Sequence, residues 1–447
     1  MCLLGKLSYF CQKDKINLLK KSLTNYIVLI GVHLSLLFTL YIIFSFLELI
    51  KGFPTNGSVF QWDVAWYKSI KDHGYFFNKG EQSNVAFFPL FPLIWKHTFL
   101  SPIGISIVNI VFLYAGVFLL NRTYNLDSKK TLLILSVPSL FFCYIPYSEA
   151  LFFLAGSLII YGLKKDNWIA LVGISLACLT RSTSLIFIPI LLFSKFYNYR
   201  LEKNNRKIFI ETALLIFFTI TSTLLAQYIQ YLDTGIFFTI FKAQEAWHRM
   251  LRIPALYFTT WDEARLIWLD GLAFLVGVSS FVLCCILIVK KIIHKRKSIS
   301  SDYLFSIAYL ALVTIVTMLF SAISPKGETS LCSLNRYIFS SPFFMTFLIV
   351  LLKRNRINKN QILLFISISI FTWLLFNVHG YLQNLEKFSL PYFKTKLYFG
   401  IVFLYSLLYM LLSNKNYNNF IWSGVYLFNL IIQIYLFNRF LNGIWIG

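Results

Sequence analysis

Charge is scarce in this sequence: Asp, Glu, Lys and Arg make up 13% of the residues, against 58% apolar types. A chain so poor in charge and divided into long uncharged runs is not a soluble domain, and belongs to the transmembrane class. Cysteine is sparse as well. Its 7 residues, Cys2, Cys11, Cys143, Cys178, Cys284, Cys285 and Cys332, form no CxxC pair and mostly lie in apolar runs, where they act as small hydrophobes. No His pair stands at metal-binding helical spacing and no Asp-x-Asp occurs, so the sequence asks for no metal and no cofactor. Gly/Ser-rich and Pro-rich linkers are missing, and so is any repeat of about 20–50 residues, which makes 1–447 one integral membrane domain. A secretory cleavage signature is missing too. The first apolar run follows Lys20 and Lys21, is longer than a signal h-region and has no small-residue cleavage site, so it is expected to stay as a span.

What is present is a succession of apolar runs separated by short basic clusters. The runs predict an all-α polytopic membrane protein with about thirteen transmembrane helices. They lie near 26–48, 101–120, 131–146, 149–163, 168–180, 184–197, 208–231, 267–289, 303–323, 337–352, 361–378, 397–413 and 419–438. Several are short for a bilayer, and the pair 131–163 reads equally as a re-entrant segment. The net charge of +23 is dispersed over the clusters instead of forming one face, which fits retention of Lys and Arg on the cytoplasmic side and excludes nucleic acid as a partner. With the N-terminus inside, Lys20, Lys21, Lys129, Lys130, Lys164, Lys165, Lys203, Lys207, Lys290, Lys291 and Lys353 all fall inside, and two large loops, 58–92 and 232–266, fall outside.

The first of these loops is the least membrane-like stretch and the most patterned. Ser58 with Gln61 has the form of a capping box, and Gly74 supplies a stop. Between them Trp62, Ala65, Trp66, Ser69, Ile70 and His73 recur at helical spacing, predicting a short amphipathic helix with an aromatic stripe at the bilayer surface. Asp63 falls in the first turn of that helix, where unpaired N–H groups favour a carboxylate. It is read either as a capping aid or as a base at the water edge of a membrane cavity. Further along, ionisable or polar residues gather at the outer ends of spans: Glu149, Arg181, Gln244, Trp247, His248, Arg249, Lys326, Glu328, Arg336, His379, Glu386 and Lys387. Ionisable residues at the lip of a span are costly and mark functional candidates.

The segment WDVAWYKSIKDHGY followed by EQSNVAFFPLFP resembles the first loop of the GPI mannosyltransferase 2 (PIG-V) family and its bacterial relatives, membrane glycosyltransferases of the GT-C class. Tyr147-Ser148-Glu149, Arg181-Ser182, Ala243-Gln244 with Trp247, and Arg336-Tyr337 are similar to features of that family, whereas Thr183-Ser184 stands where the family often has Asn-Gly. The resemblance implies transfer of a sugar, mannose foremost, from a polyprenyl- or dolichyl-phosphate donor to a glycolipid or glycan acceptor on the non-cytoplasmic face. It also implies the plasma membrane in a bacterial host or the endoplasmic reticulum in a eukaryotic one. By the same analogy Asp63 is the catalytic base of an inverting displacement, since a phosphate leaves without a strong general acid and one carboxylate suffices.

For the donor phosphate the choices are Arg181 and Arg336, with Lys326, His73 and His248 behind them, because a guanidinium offers a planar fork to an oxyanion. Trp62, Trp66 and Tyr67 are placed to stack on a sugar or to sit among lipid headgroups, and Gln82, Asn84, Glu149, Gln244 and Trp247 complete the expected sugar and acceptor contacts. Each has a plainer reading. Arg181 pairs with Glu149, Arg336 anchors a helix at the interface, and a lone His is a surface residue. A transporter or lipid-sugar flippase is the competing class; it would place its charged elements near mid-membrane.

Overall fold

The computed structural model describes residues 2–198, 205–247, 249–256, 258–260, 267–294, 298–320, 322–323, 329–353, 358–377, 392–412 and 418–447. The chain is an all-α multi-pass membrane protein. Its helices are α1 (Cys2–Phe46), α2 (Asp63–His73), α3 (Leu90–Thr98), α4 (Pro102–Tyr124), α5 (Ser128–Leu135), α6 (Glu149–Lys165), α7 (Asn167–Thr180), α8 (Phe187–Phe196) and α9 (Asn205–Thr234). Then follow α10 (Thr239–Ala246), α11 (Ile267–His294), α12 (Ser301–Leu319), α13 (Leu334–Phe339), α14 (Pro342–Leu352), α15 (Lys359–Asn377), α16 (Tyr392–Leu412) and α17 (Asn418–Leu441). Among the described residues the only sheet is a two-stranded antiparallel pair, β1 (Ala322–Ile323) and β2 (Thr329–Ser330), in which Ala322 faces Ser330.

Among the described residues seven helices are long and apolar enough to cross a bilayer, or eight when a bent pair is taken as one span. That pair is the 3-10 turn Pro138–Tyr144 with α6, and the two meet at 108°. The predicted spans 131–146 and 149–163 are therefore a short helix, a 3-10 turn and a sharply turned helix, because Ser136 to Pro138 and Pro146 to Ser148 interrupt the helical hydrogen-bond ladder. The run 337–352 is likewise divided, with Ser341 capping α14 and Pro342 in its first turn.

Close packing comes from small residues, as suits helices surrounded by lipid. A side chain on Gly162 of α6 would strike the backbone of Ala170 in α7, and one on Gly156 would strike Pro342 of α14. The outer helices α1, α9 and α15 leave Ile27, Val28, Phe38, Phe209, Phe217, Leu363 and Phe371 exposed, apolar faces that lipid would cover.

The two ends of the bundle differ in kind. At one, Lys353 Nζ donates to the Tyr124 carbonyl at 2.6 Å, Lys164 Nζ lies 4.0 Å from the centroid of the same tyrosine ring, and the Tyr124 hydroxyl bonds Asp302. These are residues assigned to the inner side by charge. Glu149 and Arg181, assigned to the outer side, stand at the opposite ends of α6 and α7 from Lys164 and Asn167.

Candidate functional site

The end assigned by charge to the outer side is built around α2. The helix starts at Asp63 with no side-chain cap; Ser58 bonds Thr55 in a preceding turn, so the Ser58–Gln61 capping box does not form. Gly74 does end the helix, at a φ of 79° that favours glycine. The buried face is Val64, Tyr67 and Ile70, turned from the predicted stripe, and Trp62 and His73 are exposed. Trp62 has a φ of 53°, a conformation a bulky residue keeps only where its surroundings dictate it. On one side the Trp445 ring meets Trp62 edge-on at 5.2 Å; on the other, Asp63 is held.

Asp63 does not spend its carboxylate on the helix terminus. Its backbone N–H donates to the Tyr147 hydroxyl at 3.3 Å, and its Oδ2 accepts from Arg336 Nη1 at 2.6 Å. Oδ1 accepts no hydrogen bond from a described residue. Arg336 Nε also donates to Glu149 Oε1, and Arg181 Nη2 lies 3.2 Å from that same oxygen. Four side chains from α2, α6, the end of α7 and α13 thus form one ionic chain, Asp63–Arg336–Glu149–Arg181. Burial is uneven along it. Glu149 is 0% and Arg336 5% exposed, whereas Asp63 is 13% and Arg181 11% exposed, so the middle of the chain is sealed and its two ends reach toward water.

Aromatic rings enclose the cations. The Arg336 guanidinium lies 4.4 Å from the Tyr147 ring centroid and 5.5 Å from Phe142; Arg181 lies 5.1 Å from Tyr337 and 5.6 Å from Phe152. Asn109 pins the turn that carries Tyr147, donating to the Ile145 and Tyr147 carbonyls at 2.6 and 2.8 Å. Tyr67 donates to Ser148 Oγ at 2.8 Å. Burial first, then the Glu149 charge, push its phenol well above the ordinary range, which keeps it a neutral donor.

No family model matches the chain, and no curated protein matches it.

Of the expected residues, Asp63, Glu149, Arg181 and Arg336 come together, and Tyr67 joins them through Ser148. Trp66 and Trp247 meet edge-on at 5.3 Å, and both contact Phe87, so the two large outer loops touch beside α2. Glu149, wholly buried, is enclosed between two guanidiniums, and Arg336 is occupied by two carboxylates. Arg336 is thus a bridge and not an interfacial anchor. Asn84 is a loop brace: its Nδ2 donates to the Gly74 carbonyl and Ser69, while its Oδ1 accepts from Phe76 N. Gln82 is exposed and bonded to none of the cluster. His73 ends α2, about 15 Å of helix away from Asp63. Gln244 acts through its carbonyl, which accepts from Arg249 N at 2.8 Å. Lys326, His248, Glu328, His379, Glu386 and Lys387 lie outside the described residues.

One contributor, Asp270, escapes sequence reasoning, and another, Arg249, stands there among the outer polar residues without a role. Asp270, in the first turn of α11, accepts from both N and Nδ2 of Asn335 at 2.9 Å and from Thr260, fixing the start of α13 and with it Arg336. Its signal is a lone carboxylate inside an apolar run. Arg249 reaches in from beyond α10, its Nη1 donating to the Tyr337 hydroxyl at 3.1 Å. Among the described residues no three or more His, Cys, Asp and Glu side chains stand close enough to hold a metal ion.

Proposed function

We propose that this protein is a GT-C-type membrane glycosyltransferase, mannosyltransferase-like, that moves a sugar from a polyprenyl- or dolichyl-phosphate donor to a hydroxyl of a glycolipid or glycan acceptor on the non-cytoplasmic face. The observation that carries the reading is Asp63: a carboxylate with one oxygen clamped by Arg336 and the other unclaimed, at the rim of an aromatic-walled, cation-rich site. The clamp orients Oδ1 without consuming it. Oδ1 takes the proton of the acceptor hydroxyl, the freed oxygen attacks the anomeric carbon, and the bond from that carbon to the phosphate oxygen breaks. The prenyl phosphate departs with the electron pair, its charge received by guanidinium groups. Inversion follows from a single displacement.

An apolar cavity of about 210 Å³ between α11, α14, α15 and α16 supports a lipid-linked donor. Leu272, Val276, Phe344, Phe365 and Ile368 line it, and it reaches Pro138 and Phe339, on the two segments that carry Phe142 and Arg336 into the site. An isoprenoid chain would lie there with its phosphate toward the cluster. The charged residues occupy helix ends, at the start of α2 and α6, just past α7 and within the short α13, whereas a transporter places them at the middle of its spans.

The test is transfer itself. Purified protein incubated with radiolabelled prenyl-phosphate mannose and candidate acceptor lipids should give a labelled lipid product, and Asp63→Asn should remove most of it. Full transfer by the Asn variant would refute the assignment of Asp63.

A further inference from the structure

Among the described residues the ionic cluster is not balanced. Arg181, Arg249 and Arg336 surround Tyr337 and the carboxylates, while among the described residues only Asp63 and Glu149 pair with them. Among the described residues three cations stand against two anions, which leaves one positive charge in a site walled by aromatic rings, and an uncompensated charge in such surroundings is costly unless an anion joins it.

The three guanidiniums differ in what they can still offer. Arg336 gives Nε to Glu149 and Nη1 to Asp63, and is 5% exposed between the Tyr147 and Phe142 rings. Arg181 gives Nη2 to Glu149 and has one face on Tyr337. Among the described residues Arg249 touches no carboxylate; its one side-chain bond there goes to the Tyr337 hydroxyl, and the side chain is only part-buried. A guanidinium carries five N–H donors, so most of the Arg249 fork is uncommitted. Its backbone is fixed, since Arg249 N donates to Gln244 O at the end of α10, and α10 packs against the 3-10 turn Asn84–Ala86 of the first outer loop. A held, partly solvated and unpaired guanidinium beside a buried cation excess is what an oxyanion requires.

We propose that Arg249, with Arg181 across the Tyr337 ring, is the phosphate subsite of this protein, that it takes the phosphate ester of the lipid-linked donor, and that Arg336 holds the two carboxylates and not the ligand. The anion follows from the charge balance; that the anion is a prenyl phosphate rests on the glycosyl-transfer reading.

The full-length protein in lipid nanodiscs is titrated with farnesyl phosphate in one arm and inorganic phosphate in the other, following the unfolding temperature and heat of binding. Farnesyl phosphate should bind the parent, and Arg249→Gln should weaken it by about tenfold or more, the loss expected for a charge-assisted contact. Arg249→Lys should recover part of that, and both variants should unfold near the parental temperature without ligand. Undiminished binding by Arg249→Gln, or no binding of either phosphate by the parent, overturns the subsite. Binding of inorganic phosphate alone overturns the lipid-linked ligand. Asp63→Asn should still bind farnesyl phosphate. If that variant also transferred sugar at the parental rate, the base assignment would fall while the phosphate subsite stood.

Discussion

Arg336 Nη1 meets Asp63 Oδ2 at 2.6 Å across a sequence separation of 273 residues, and the same guanidinium holds Glu149 through Nε. One side chain therefore neutralises two carboxylates that share no other bridging cation.

Removing it should be the most damaging single change at the site. Arg336→Gln leaves Glu149, wholly buried, with Arg181 alone, and leaves the Asp63 carboxylate with no ionic partner among the described residues. Breaking a buried pair from one side costs about 3–5 kcal/mol. We expect a sharply lower unfolding temperature and poor recovery from detergent; a parental unfolding temperature would contradict the bridging role.

Asp63→Asn should separate chemistry from folding. The amide oxygen can still accept from Arg336, so the unfolding temperature should stay close to the parent's. Loss of a general base should reduce turnover by about 10²–10⁴. Initial rates at saturating donor and acceptor read this directly.

Arg181→Ala should behave differently from either. Glu149 keeps Arg336, so the stability loss should be smaller than for Arg336→Gln. The donor side of the site loses a cation, so the KM for donor should rise more than the KM for acceptor. Equal increases in both would mean that Arg181 only supports Glu149.

Gly162→Ala tests the packing that places the two charged helix ends. The added methyl would meet the Ala170 backbone, which cannot rotate away, so α6 and α7 must separate. Overpacking of this kind costs about 1–3 kcal/mol. Because Glu149 begins α6 and Arg181 follows α7, activity should fall together with the unfolding temperature.

The all-α multi-pass character, the short helix of the first loop and the Glu149–Arg181 pair are legible in the sequence, whereas the expected thirteen spans are not reproduced as such among the described residues. Apolar run length and isolated charge are local signals, and local signals are what a sequence displays. The same reasoning misses the role of Arg336, since nothing at position 336 points to position 63. It places the helix start at Ser58 because the capping pattern is satisfied there on paper, yet Ser58 finds Thr55 first. Asn84 has the residue type of a sugar ligand and the surroundings of a loop brace, and only three dimensions distinguish them. The approach of Trp445 to Trp62 is equally hidden, since the two lie near opposite ends of the chain.

The spread of the ionic chain along the sequence has a consequence for biogenesis. During synthesis Glu149 enters the membrane long before residue 336 is made, and Arg181 is the cation that emerges soonest to accompany it. Arg181 is then expected to act in the nascent protein as a temporary counterion, with α13, arriving late, converting a two-residue pair into the finished cluster. Polypeptides stalled ahead of α13 should keep the early pair, carry Asp63 unbridged, and be the species a membrane protease clears in a pulse-chase experiment.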